Sequence, residues 1–134
     1  MNAVARPANA PLLRRAIQLD AVATSAMAAL LIAAAAPLSQ WLHLPQNLLL
    51  GAGLVLVPYV AYLGWLLSRE RISNAQVWSV IAINACWVID SAIVLVAGWV
   101  QPNDLGMAFV VVQAVAVAAF AELQYFALRR QQRG

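Results

Sequence analysis

The sequence has one cysteine, one histidine and no lysine. Cys86, standing alone, excludes an intrachain disulfide and any site built from several cysteines. His43, also alone, excludes a His-rich site. Beside Trp41 in a Pro-bracketed segment, it suits a solvated interface better than a metal or a proton sensor. No Ser/His, Cys/His or metal constellation is visible, so the chain is expected not to be an enzyme. Nor is there a phosphate loop, a haem motif or any other cofactor signature, and none is expected.

Charge is scarce as well. Only 10% of the 134 residues are charged and 64% are hydrophobic, against roughly 25% and 45–50% in soluble domains. So small a soluble core could not hide that much apolar surface; the solvent for most of it must be lipid. A span needs about 20 mostly apolar residues. Four stretches meet that length: 16–36, 47–67, 76–98 and 105–128. Residues 1–13, with Pro7 and Pro11, read as a flexible cytoplasmic lead-in to one membrane domain that fills the rest of the chain.

Short breaks separate the spans. Pro37 and Pro45 bracket the first, Ser68-Arg69-Glu70-Arg71 forms the second, and Gln101-Pro102-Asn103-Asp104 the third. Loops this short force neighbouring helices to run in opposite directions. The expected fold is all-α: four transmembrane helices in an antiparallel up-down bundle. The runs are continuous rather than alternating, which argues against a β-barrel. Arg14-Arg15 ahead of an apolar run ending in Ala34-Ala35-Ala36 mimics a signal peptide. Asp20 interrupts that run and Pro37 would follow the cut, so the segment is expected to stay as a span.

All eight positive residues are Arg: Arg6, Arg14, Arg15, Arg69, Arg71, Arg129, Arg130 and Arg133. They belong to the N-terminus, the middle loop and the C-terminus. Positive residues stay cytoplasmic, so both termini and the middle loop are expected inside, in a bacterial inner membrane. Trp41 and Trp99 then mark the outer interface, and Trp65, Trp78 and Tyr125 the inner one. The basic balance reflects this topology. Split among three short segments, it does not make a nucleic-acid surface.

Each ionisable group within a span needs a reason, since an Asp at the centre costs about 2.5–3.5 kcal/mol on insertion scales. Asp20 and Glu122 are only ~6–9 Å deep from the cytoplasmic end. They are expected to pair there with Arg14, Arg15, Arg129 or Arg130. Asp90 is different: it is ~12 Å from the outer end of its helix, where no Arg lies. It could be protonated, bind a cation or line a wet cavity. Its helical stripe, Ser79, Cys86, Asp90 and Ala97, is expected to face the interior or a partner. Gln113 has matching depth, so a protonated Asp90 bonded to Gln113 is the structural expectation. Asn84, Trp87 and Ser91 form a second face, expected to supply an interhelical hydrogen bond and packing. Asp90, Gln113 and Asn84 are thus the candidate intramembrane polar site.

Small residues recur every four positions at Ala21, Ser25, Ala29 and Ala33, and again at Ala114 and Ala118. Such spacing permits close helix contact, within the chain or between copies. Pro58 is expected to kink the second span. The functional expectation is a non-enzymatic accessory subunit or self-associating scaffold, a homo-oligomer or part of a larger membrane complex. The alternative is a small proton- or cation-linked transporter or channel using Asp90.

Overall fold

The computed structural model describes residues 10–133, and they form five helices. These are α1 (Ala10–Ala33), α2 (Ala35–Leu42), α3 (Gln46–Leu67), α4 (Asn74–Val96) and α5 (Asp104–Arg133). Four of them, all but α2, are long and apolar enough to cross a membrane. At 22 residues, α3 is the shortest of the four, and it still extends about 33 Å.

The first helix begins earlier than expected. Residues 10–13, read above as lead-in, form the first turn of α1, and Leu13 is buried. The rest of that segment, 1–9, lies outside the described residues. Helix α2 was not anticipated either. The chain turns at Ala34 and resumes as a helix in which Pro37 occupies the first turn. Proline is tolerated there because the first backbone N–H groups of a helix have no partner within it. His43 ends α2 in the left-handed conformation, at φ 54°.

The other termini follow from local chemistry. Ser73 and Gln76 form a reciprocal capping box at the start of α4, with bonds of 3.1 and 2.9 Å. Gly98, at φ +79°, leads the chain out of α4. Asn103 caps α5 by accepting from the Gly106 N–H at 2.8 Å. The same side chain donates to the Trp41 carbonyl at 2.8 Å, tying the start of α5 to the end of α2. Gly106 lies against the Leu42 carbonyl, where a Cβ would have no room.

Helix α1 packs between α3 and α5, and α4 packs against α5; the α3 and α4 backbones stay apart. Gly53 permits the close approach of α3 to α1, beside Ala28 and Leu31. At the other end of α1, Arg14 donates to the carbonyls of Leu67 and Glu70 at 3.0 and 2.8 Å, and to that of Arg69. Buried apolar residues gather in two clusters. One holds Leu13, Ile17, Leu63, Leu66, Val77 and Leu128. The other holds Ala28, Leu31, Leu38, Leu42, Leu49 and Leu56. On α1 the two are separated by Asp20 and Thr24, and on α3 Tyr59 is the member of the first cluster that comes next after Leu56 of the second. The exposed surfaces of α4 and α5 are mostly apolar, with Ile89, Val96, Val115 and Phe126 among their exposed residues, and Asp90 and Glu122 the carboxylates exposed within the apolar runs of these helices.

Candidate functional site

A polar layer lies between the two apolar clusters, and Asp20 is its centre. The Asp20 side chain is 1% exposed. Its Oδ1 accepts from Thr24 Oγ1 at 2.8 Å. Its Oδ2 accepts from Tyr59 Oη at 2.7 Å, Asn84 Nδ2 at 3.0 Å and Gln124 Nε2 at 2.8 Å. The same Tyr59 hydroxyl lies 3.1 Å from Asn84 Oδ1, so its one proton is shared between Asp20 and Asn84, and Asn84 donates to Gln124 Oε1 at 3.0 Å. All four long helices therefore meet at one carboxyl group. Closed networks of this kind hold their members in one geometry.

Helix periodicity explains the meeting. Asp20 and Thr24 are one turn apart on the face of α1 that also carries Ile17 and Leu31. Tyr59 shares the inward face of α3 with Leu56, Leu63 and Leu66. Asn84 follows Val77 and Val80 on the inward face of α4.

Among the described residues, the groups hydrogen-bonded to Asp20 are the neutral side chains of Thr24, Tyr59, Asn84 and Gln124 in place of the expected arginine. Arg14 is engaged with backbone carbonyls at the α3–α4 junction, and the neutral donors of the other helices reach the buried carboxyl group instead. Glu122 is exposed and outside the network.

The candidate set of Asp90, Gln113 and Asn84 is divided among three surroundings. Asn84 joins Asp20. Gln113 joins a second group: its Oε1 accepts from Trp87 Nε1 at 2.6 Å, and its Nε2 donates to Ser91 Oγ at 3.0 Å. Trp87, expected only to pack, is thus a donor. Asp90 is exposed and does not bond Gln113, whose amide is already occupied. The stripe expected to face inward is largely the outward one: Cys86, Asp90 and Ala97 are exposed, while Ser79 is half-buried and hydrogen-bonded to Tyr62 at 2.7 Å. The Asn84–Trp87–Ser91 face turns inward in its place, because α4 has backbone contact with α5 alone among the long helices. On α1, Ser25, Ala29 and Ala33 are likewise exposed.

Tyr59, Thr24 and Gln124 were missed as members of the site. The polar i, i+4 pair of Asp20 and Thr24 was a usable signal for an inward polar face.

Where α3 and α4 stand apart, an open cleft remains. Its larger part, about 360 Å³, is lined by Tyr59, Ile83, Asn84, Trp87 and Phe120 among others. A smaller part, about 180 Å³, is lined by Leu49, Asp90, Ser91 and Val94. Met27, Trp87, Phe109 and Gln113 border both parts. Among the described residues, no three His, Cys, Asp or Glu side chains gather to hold a metal ion. Comparison with protein-family models, curated proteins and solved structures finds no match to the chain.

Proposed function

We propose that the chain is a small multi-pass protein of the bacterial inner membrane, acting as a non-enzymatic accessory subunit or self-associating scaffold. Its long helices alternate in direction as an up-down bundle, with both termini cytoplasmic. The observation that carries this reading is the Asp20 network. Asp20, the one fully buried carboxyl group among the described residues, is occupied by donors from three other helices and by Thr24. A carboxyl group tied so completely serves as an interhelical lock, and it makes the four helices a rigid frame.

Exposed apolar faces on α4 and α5 support placement in lipid. Side chains at the helix ends support the topology. Arg14 reaches the α3–α4 junction, and Trp78 stacks edge-on against Tyr125 at 5.8 Å. Arg69 lies over Trp65 at 4.8 Å, a cation–aromatic pairing suited to a headgroup layer. At the far end Asn103 binds the Trp41 carbonyl.

Mild extraction from native membranes, followed by mass measurement, tests the accessory or scaffold role. The reading expects a mass above that of one chain, lost when the partner or second copy is removed. A lone chain at native abundance would sink it. Asp90 supports a second reading, a cation- or proton-linked transporter, because it is an exposed carboxylate residue bordering the cleft within a long apolar helix. Flux into proteoliposomes that disappears in Asp90→Asn, with the fold intact, would favour that reading over the first.

A further inference from the structure

We propose that the α3–α4 cleft binds a protonated amine carrying an apolar body, with Asp90 as its counter-ion. The inference rests on the membrane reading given above and adds the chemical class of the occupant.

Three observations carry it. The first is shape. The larger part of the cleft, about 360 Å³, falls in the size range of small-molecule sites, roughly 300–1,000 Å³. Its walls include Tyr59, Trp87, Phe109 and Phe120. The second is how the polar groups are engaged. Thr24, Tyr59 and Asn84 border this part, but their side-chain atoms are bonded to Asp20 and to one another. Trp87 and Gln113, at the waist of the cleft, are bonded to each other. The larger part therefore offers a ligand mainly apolar contact.

The third is charge. Among the described residues, Asp90 is the single charged side chain that lines either part of the cleft, and no arginine lines either one. Among the described residues it has no hydrogen-bond or ion-pair partner. An ammonium group would meet Asp90 with a charge-assisted bond, strengthened where lipid surrounds it. A neutral ligand leaves Asp90 unpaired, and an anion is repelled by it. An apolar body extending beyond Trp87 and Gln113, which border both parts, would lie in the larger part, where Ala116 forms part of the wall.

Calorimetry in lipid nanodiscs, with empty discs as reference, tests the proposal with three probes of one shape: phenylbutylammonium, phenylbutanol and phenylbutyrate. The ammonium ion is expected to bind saturably, and at least about tenfold more tightly than the alcohol, the step of a single modest ion pair. The carboxylate is expected not to bind. Asp90→Asn should weaken the ammonium to the level of the alcohol and keep the thermal midpoint of the wild type. Ala116→Trp should block the ammonium and the alcohol alike by filling the larger part. Equal affinity for ammonium and alcohol overturns the proposal. So does undiminished ammonium binding by either variant, or the lack of saturable binding to folded wild type. Failure here, with topology labelling as expected, removes the ligand class and leaves the membrane reading in place.

Discussion

Asp20 and Gln124 are 104 positions apart in the sequence and 2.8 Å apart in space, Gln124 Nε2 donating to Asp20 Oδ2. The bond joins the first long helix to the last across the centre of the protein. Tyr59 and Asn84 arrive at the same oxygen from the two helices between. A single side chain thus holds the relative rotation of four helices.

Removing that side chain should loosen them all. Asp20→Ala leaves three interhelical donors without their acceptor. The expected loss is about 2–3 kcal/mol: charge-assisted bonds run higher in water, but interhelical bonds in membranes average only ~0.6 kcal/mol and the remaining amides can pair again. Asp20→Asn should cost less, because an amide keeps one acceptor oxygen yet presents two donors to groups that themselves donate. Reversible unfolding in mixed micelles measures both. An Asp20→Ala protein as stable as the wild type would show that the network is not the lock.

Gly53 and Gly51, two positions apart on α3, should respond oppositely to a side chain. A Cβ at Gly53 would lie 2.9 Å from both Ile32 Cγ1 and Leu31 Cβ, and 3.3 Å from the Ala28 carbonyl oxygen. Gly53→Val is therefore expected to force α3 away from α1 and cost about 1–3 kcal/mol. At Gly51 a Cβ meets nothing within 4 Å. Gly51→Ala should be neutral, or stabilising by up to about 1 kcal/mol through helix propensity. Equal thermal midpoints for the two variants would contradict the close α1–α3 approach.

Asn103 has two tasks, capping α5 and holding Trp41. Asn103→Ala should lower stability by about 1–2 kcal/mol, the usual cost of losing a helix cap. Asn103→Ser keeps a capping oxygen but cannot reach the Trp41 carbonyl as a donor amide does, so it should recover part of the loss. If serine recovers everything, the bond to Trp41 contributes nothing to stability.

The sidedness expected from the arginines can be checked with thiol labelling. In a Cys86→Ala background, a cysteine replacing Gln101 should react with an impermeant reagent applied to intact cells. One replacing Gly134 should react only after lysis. Cys86 makes no disulfide, so its removal leaves no bond broken. Labelling of position 134 from outside would reverse the assignment.

The spans were legible because their signal is one-dimensional. Continuous apolar runs, interrupted by proline and arginine, located α3 and α4 to within two residues at each end and α5 to within one at its start, while α5 continues past the expected end to Arg133. The first helix was harder. Its start at Ala10 and its break at Ala34 depend on how Leu13 and α2 pack, and composition carries neither. The site was only partly legible. Asn84 and Gln113 were singled out as buried polar groups that need partners, and both have them. The partners were misassigned because depth and periodicity place residues on a helix without setting how that helix is turned toward its neighbours.

Asp20 and Asp90 divide the two kinds of information. Their presence within apolar runs is a property of the sequence, as are the number of long helices, their lengths and the segregation of arginine. Those follow from residue-by-residue transfer between water and lipid, to which each residue contributes largely by itself. Which carboxyl group is buried, and which borders a cleft, was decided by tertiary structure. Interhelical hydrogen bonds are short-ranged and directional, so they form only where the rotations of all the helices agree. Tyr59, Asn84 and Gln124 bring that agreement to Asp20, and the gap left between α3 and α4 is where Asp90 lies.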